Sequence, residues 1–320
     1  MAERLIIGLD IGATRIAAAV VDSAGAVLHR GKRPFGKASL EESCRSIVEV
    51  VEELAAESSV NLAEVGGTGI SIPGIYHSST GNALSPELWG WEQAPLWHEL
   101  EGKLPAPVLI DNHPSTAALG EQWVGAAQGL SDIVYFSAGE DVGAGIVSAG
   151  WLLHGAGDLA GAAGWLAVDP QRKPLYKHLG CLTAEAGAAG VGRRAAAHIA
   201  AGEHTVMAGL AGARPVSADI VIEAARRGDT VAIRVLEETA RYMAMGIANL
   251  ISILNPEMVV LGGSLFEAGE FLIEPLRREL PEWAQPLAAS QVRIERAQLG
   301  DDARLLGAAR LPLLARGAAE

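Results

Sequence analysis

The stretch from Val108 to Glu121, VLIDNHPSTAALGE, constrains the fold more than any other. Val108, Leu109 and Ile110 read as the end of a buried strand. Asp111, Asn112 and His113 then form a polar knot closed by Pro114, and Ser115 or Thr116 is placed to cap a helix through Ala117, Ala118, Leu119 and Glu121. A strand that ends in polar residues and restarts as a helix is where α/β proteins usually put their chemistry. Asp111 and His113 are two apart, so strand geometry carried that far points both side chains to one side. One is a carboxylate, and the other is an imidazole suited by its ordinary pKa to act as a general base near neutrality. The plainer alternative is that all three satisfy turn and cap hydrogen bonds.

A chain of 320 residues suits two domains rather than one small core, and 49% apolar content supplies enough burial without staples. Alanine and glycine are abundant and aromatics sparse, which implies tightly packed helices. A net charge of −13 argues against a nucleic-acid partner, because phosphate neutralisation needs clustered Lys and Arg. Cys44 and Cys181 are far apart and form no CxxC, so no disulfide framework or complete cysteine metal site follows. The N-terminus does not read as a signal peptide, and no apolar run is long enough to span a bilayer. A soluble, cytoplasmic protein with no membrane partner is expected.

Two hairpins frame the central stretch. Leu5 to Leu9 reads as a strand, Asp10 to Arg15 (DIGATR) breaks it, and Ile16 to Val21 resumes, followed by a third strand over Ala26 to Arg30. Gly12 permits a tight turn that sets backbone N–H groups beside an anion, Thr14 adds a hydroxyl and Arg15 a cation. Asp132 to Ser137 is the second such strand; it passes through Ala138 to Gly145 and resumes at Ile146. One Gly-bearing hairpin in each half suggests a duplicated β-β-β-α-β-α unit. Leu40–Ala56, Leu182–Ala201, Ala218–Arg227 and Thr230–Leu254 read as helices, the last stopped by Asn255-Pro256. Gly67 to Ile72 is a strand ending at the Pro73-Gly74 turn, and Trp89, Trp91 and Trp97 follow it, either covering a domain hinge or stacking on a ligand. Gly155 to Gly164 is a flexible or closely packed loop, with His154 beside it as a minor candidate for the site. Met258 to Leu261 is a strand leading into Gly262, Gly263 and Ser264, where the backbone can approach a flat ligand. Asp301-Asp302 caps a last helix, Ala303 to Leu311.

In order, DIGATR, AGEDVGAGI (Ala138 to Ile146), LGGS (Leu261 to Ser264) and LGDDARLLGAA (Leu299 to Ala309) resemble the ROK family of repressors, open reading frames and sugar kinases. The resemblance covers essentially the whole chain. It implies an α/β fold of two actin-like (ribonuclease-H-like) domains with a ligand cleft between them: 1–113 with 300–320, and 114–299 with a helical insertion. It also implies a homodimer through the second domain. ATP with Mg²⁺ would lie between the hairpins, with the adenosine near Gly262, Gly263 and Ser264, and a sugar beside the central stretch.

The motifs of such a kinase are only partly kept. The family carries Asn then Asp where this chain has Asn112 then His113, so the catalytic carboxylate is replaced; His113 or Asp111 would have to serve as base. The family's Glu-x-Gly-His sugar clamp falls on Ala162, Ala163, Gly164 and Trp165, a later sugar-binding Glu on Thr183, and an Asn of the Trp-rich loop on Glu87. The family's zinc run falls on Pro174 to Cys181, where one thiol and His178 remain; four ligands are needed, so no structural zinc is expected, and packing of Trp165 and Leu175 is the expected substitute. At the nucleotide, Asp10, Gly12, Thr14, Gly143, Gly262, Gly263 and Ser264 match. Arg15 replaces a Lys, and Glu140 and Asp141 replace Thr-Gly, where two carboxylates would repel a triphosphate unless Mg²⁺ lay between them.

Three readings follow. The favoured one is a kinase-fold protein that has lost sugar phosphorylation and binds a small carbohydrate-like ligand or a protein partner. The second is an ATP-dependent kinase for an unusual carbohydrate-like substrate, with Asp10 or Asp141 holding Mg²⁺ and with Trp165 and Trp91 stacking on the substrate. The third, a regulator like the family's repressors, is disfavoured because the first strand begins at Leu5, which leaves no room for their N-terminal winged helix.

Overall fold

The computed structural model describes residues 4–317; the ends of the expected first domain, 1–3 and 318–320, lie outside the described residues. The first elements are β1 (Ile6–Ile11), β2 (Arg15–Val21), β3 (Val27–Pro34), α1 (Leu40–Ser58), β4 (Thr68–Ile72), the small hairpin β5 (Ile75–His77) and β6 (Asn82–Leu84), and α2 (Leu96–Leu100). Then come β7 (Val108–Asn112), α3 (His113–Val124), β8 (Ile133–Ala138), β9 (Val142–Ser148) and β10 (Trp151–Leu152). A helical run follows: α4 (Tyr176–Leu179), α5 (Cys181–Ala186), α6 (Ala188–Ala200), α7 (Met207–Ala211), α8 (Ala218–Arg226) and α9 (Thr230–Leu254). The chain closes with β11 (Met258–Gly262), α10 (Glu270–Glu279), α11 (Pro286–Gln291), β12 (Arg293–Arg296) and α12 (Asp302–Gly317).

Two five-stranded sheets have the orders β3-β2-β1-β4-β7 and β10-β9-β8-β11-β12. These are the same arrangement written twice, so the duplication read from the hairpins appears in the topology. In the first sheet β1 runs antiparallel to β2 and parallel to β4, which is parallel to β7. In the second, β8 pairs with β11 and β11 with β12, both parallel.

The chain divides into two compact units, Met1–Ser131 with Gly145–Ala160 and Ala297–Glu320, and Asp132–Ala144 with Gly161–Arg296. The sequence boundary after residue 113 therefore falls inside the first unit, which also takes in 114–131 and 145–160. The reason is the seat of α3 on α12. A Cβ on Gly120 would meet the Ala303 carbonyl oxygen at 2.1 Å, and one on Gly307 would meet that of Thr116 at 1.6 Å. Helices that close leave no room for another partner there.

All six residues of β1 are buried, as expected for a strand covered on both faces. Its alternate side chains divide between two clusters. Ile7, Leu9 and Ile11 join Ile47 and Leu54 of α1 and Trp91. Ile6 joins Leu305, Leu306 and Ala309 of α12. Trp91 is fully buried in that first cluster, so it is core and not a stacking platform for a ligand.

Capping follows local chemistry. Ser39 and Glu42 form a capping box on α1, and Asp229 caps α9, which ends at Asn255 in the left-handed conformation (φ 46°). The helix read as Leu182–Ala201 is broken: Gly187 is extended, and a Cβ there would lie 2.7 Å from the carbonyl oxygens of Glu140 and Thr183. The strand expected to resume at Ile146 already begins at Val142.

Candidate functional site

At the end of β7 the chain turns immediately into α3, and the cap is Asn112, not Ser115 or Thr116: the Asn112 side chain accepts the Ser115 backbone N–H at 3.0 Å. Pro114 follows in the first turn, where its missing N–H costs nothing. Thr116 Oγ1 instead turns back onto the carbonyls of Asn112 and His113 and lies 2.6 Å from Ser71 Oγ. The end of α3 is fixed by Glu121, whose buried carboxylate accepts the backbone N–H groups of Ala126 and Leu299.

Because His113 is the first helical residue, strand alternation stops before it, and Asp111 and His113 do not act together. The His113 Nε2 lies 3.0 Å from the Ile11 carbonyl oxygen and 3.2 Å from Asp10 Oδ1. A carbonyl only accepts, so the Ile11 contact places the proton on Nε2 and leaves Nδ1 as the free ring nitrogen. Asp10 is buried, and its other oxygen lies 3.0 Å from Arg304 Nη2. Burial alone would raise the Asp10 carboxyl, but the His113 N–H and the Arg304 guanidinium hold it below its usual value. Sequence reading missed Arg304, which enters Asp10's surroundings from α12.

The first hairpin is tied to itself. The Gly12 N–H, expected to face an anion, donates to the Arg15 carbonyl at 2.9 Å, and the Thr14 carbonyl accepts the Phe35 N–H. Arg15 pairs with Asp301 at 2.7 Å, both side chains well exposed.

Asp111 is bound elsewhere. Its Oδ2 lies 2.7 Å from His154 Nε2, and its Oδ1 accepts the Asn112 N–H at 2.8 Å. The Asp111 contact raises the His154 pKa, with burial opposing it. Beside them Asp158 accepts the Ser78 N–H and hydroxyl, each at 3.0 Å. These groups line a cavity of about 440 Å³ within the first unit. His154 was the one histidine singled out near the glycine-rich loop; Asp158 and Tyr76 were missed, because neither sits in a motif.

In the second unit β8 runs into the turn bearing Glu140 and Asp141, both exposed. The Gly139 N–H donates to the Asp141 carbonyl, and its carbonyl accepts the Ala188 N–H at the start of α6. Gly143 lies within β9. Gly262 ends β11, and Gly263 has φ 93°, where a Cβ would lie 2.3 Å from the Ala138 carbonyl oxygen. Ser264, Glu140, Arg193, Ser217 and Asp219 line a cavity of about 610 Å³. This brings the Glu140 turn and Ser264 to one place.

The remaining candidates scatter. Ala162 and Trp165 are exposed, Trp165 by 59%, so Trp165 is not the buried packing residue expected in this loop. Thr183 is buried, and its Oγ1 accepts the Val142 N–H at 3.2 Å, a structural bond. Glu87 is exposed in the loop before Trp91.

Where the family's zinc run falls, the residues do not fit a zinc ion. Cys181 is buried with its sulfur toward the Asp169 carbonyl oxygen, and His178 is exposed. Among the described residues no group of three or more His, Cys, Asp or Glu side chains is placed to hold a metal. A polar cluster holds the segment instead. Tyr176 lies against Asp169 and Glu185; Lys173 reaches Asp169 at 3.0 Å and Glu185 at 2.8 Å; Arg194 approaches Glu185 at 3.4 Å and lies over the Tyr242 ring. The Tyr176 hydroxyl, the Gln171 N–H and Lys173 hold Asp169 down to about 2.

A family model described as the ROK family matches residues 6–314. The glucokinase of Halalkalibacterium halodurans is 31% identical over 311 residues, covering 96% of this chain and 94% of that protein. Among solved structures, the ROK hexokinase from Thermus thermophilus matches with a TM-score of 0.82 and 30% identity, covering 98% of this chain and 99% of the other. A ROK family glucokinase from Streptomyces griseus in complex with glucose and AMPPNP matches with a TM-score of 0.78 and 29% identity, covering 96% and 98%. From the repeated sheet order and a match that runs almost end to end, the chain belongs to the ROK family and has its two-domain, actin-like α/β fold.

Proposed function

We propose that this chain is a sugar-kinase homologue that binds a small carbohydrate-like ligand and has given up phosphoryl transfer. The observation that carries this is the Arg304 guanidinium seated on Asp10. Phosphoryl transfer rests on anchored phosphates, a metal and a proton acceptor. The Arg304 guanidinium faces one oxygen of Asp10 at 3.0 Å, and the other, Oδ1, is buried 3.2 Å from the His113 ring with no hydrogen-bond partner among the described residues. A magnesium ion at Asp10 would have to share a buried carboxylate with a guanidinium, and that repulsion weakens a metal site there.

The other requirements point the same way. The Nε2 of His113 is turned to the Ile11 carbonyl and Asp10, so the imidazole is committed to the protein on that side. Asp111 is engaged by His154. Arg15 is drawn to Asp301, and Glu140 and Asp141 add negative charge at the second turn. The cavity beside Ser264 supports a nucleoside site that has outlived the reaction. The S. griseus relative, solved with glucose and AMPPNP, supports a sugar as the ligand class. Two free, buried thiols suit a reducing cytoplasm, and the family resemblance supports a homodimer.

The test is ADP release by the purified protein with Mg·ATP and a panel of sugars, amino sugars and polyols, beside His113→Ala. No sugar-dependent ADP is expected from the folded protein. Turnover at ordinary kinase rates that falls with His113→Ala would overturn the proposal and establish a kinase with a relocated base.

A further inference from the structure

The first unit contains a cavity that the nucleotide and phosphate motifs do not touch. It lies along β7, beyond the Asp111–His154 pair. Its volume of about 440 Å³ falls in the range of small-molecule sites, about 300–1,000 Å³. One wall is aromatic and apolar: Trp97 stands edge-on to His98 (centroids 5.2 Å apart, 78° between planes), with Leu109 and Leu311 nearby. The Trp97 indole N–H is spent on the Val108 carbonyl at 3.2 Å, which fixes the ring in place. The other lining groups are polar: Asp111, His154, Asp158, Tyr76 and Thr80.

The Tyr76 hydroxyl has no hydrogen-bond partner among the described residues, and the side chain is half-buried at the cavity. Burial, with Asp111 and Asp158 near, pushes its pKa up to about 12, so at neutral pH it stays a protonated donor. Asp111 uses one lone pair on each oxygen for His154 and Asn112, and a carboxylate offers about four. Asp158 is held rigidly by two bonds from Ser78, which ties the segment after β10 to the loop after β5. Apolar and aromatic surface beside fixed donors and acceptors suits a ring with one hydrocarbon face and a rim of hydroxyls. Two carboxylates outweigh the one imidazole beside them and leave the site negative, which repels phosphate and favours a neutral or amine-bearing ring.

We infer that this cavity is a binding site for an unphosphorylated monosaccharide, amine-bearing in preference, held by Tyr76, Asp111, His154 and Asp158 within the first unit. The inference rests on the reading that the chain binds a carbohydrate without phosphorylating it, and gives that ligand a place apart from Ala162, Trp165 and Glu87.

Isothermal titration of the full chain with glucosamine, glucose and glucose 6-phosphate tests it, in the wild type, Tyr76→Phe, Asp158→Asn and Trp165→Ala. Glucosamine and glucose are expected to bind, with glucosamine the tighter and glucose 6-phosphate at least about tenfold weaker. Loss of one hydrogen bond in Tyr76→Phe is expected to weaken binding about fivefold to tenfold. Because Phe keeps the ring, its fold is expected to survive, and Asp158→Asn gives an independent second reading. Four results would overturn the inference: no binding of any probe, a preference for the phosphate, wild-type affinity in both cavity variants, or loss of binding in Trp165→Ala alone. The last would move the ligand but leave the proposal of a non-catalytic binder intact, while ADP release in the separate assay would remove that proposal itself.

Discussion

Asp10 shows how one residue decides between two lives for the same hairpin. A carboxylate at the end of β1 is useful to a kinase only while it can face a cation brought by the substrate. Here the chain supplies a cation of its own, Arg304. Arg304 is about a third exposed, so its pair with Asp10 is worth less than a fully buried one. Arg304→Ala is expected to lower stability by about 2 kcal/mol at pH 7, since it leaves a buried carboxylate with only His113 beside it. The pH dependence has a definite sign. The folded Asp10 carboxyl sits below its unfolded value of 3.8, so its contribution is complete above that value and disappears as pH falls through the folded one. Urea denaturation of wild type and Arg304→Ala at pH 7 and pH 3 checks this: the gap between them should narrow in acid. A gap that held or widened would mean that Arg304 contributes packing and not charge.

At the scale of elements, the strand-to-helix passage was legible because it is local. The apolar run, the polar knot and Pro114 all lie within one stretch, and β7 and α3 meet there at Asn112 and His113. Which side chain faces which was not legible, because a helix that starts three or four residues earlier than expected rotates His113 away from Asp111. Residues 166–185 show the other limit. The missing zinc ligands were plain in the sequence, but what replaced them was not, since Asp169, Lys173, Tyr176, Glu185 and Arg194 form no motif and meet only through the folded loop. Their convergence predicts that Glu185→Gln costs about 3 kcal/mol, because Lys173, Tyr176 and Arg194 all turn to that carboxylate. Thermal denaturation with and without a chelator checks the source of stability. The midpoint should be unmoved by chelator in the wild type and lowered by the substitution alone; a chelator-induced drop would mean that a metal holds this segment after all.

At the scale of the whole molecule, the chain preserves the fold of the ROK sugar kinases while altering side chains in both of its units. Fold therefore says little about activity, and the altered positions have to be weighed together. Groups that act as a unit are strongly non-additive in catalysis, so restoring one of them restores almost nothing. His113→Asp alone would supply a carboxylate where the family resemblance expects one. It would also set a second acid beside Asp10, with Arg304 still holding the first. One of the two acids would then take up a proton, or Arg304 would neutralise both; neither outcome frees Asp10. Reinstating a sugar clamp is structurally permissible at Ala162 and Trp165, because both are exposed and larger or polar groups meet no core there. It is not permissible at Thr183, which is buried and bonded to Val142. The expected outcome is that His113→Asp shows no more sugar-dependent ADP release than wild type. The combination of His113→Asp, Arg304→Gly, Ala162→Glu and Trp165→His should show measurable release with a hexose. Activity in the single variant would mean that Asp10 was never closed to the metal. A silent combination that still folds would place the loss of reaction in the Glu140 and Asp141 turn, where no clamp residue can compensate for a repelled triphosphate.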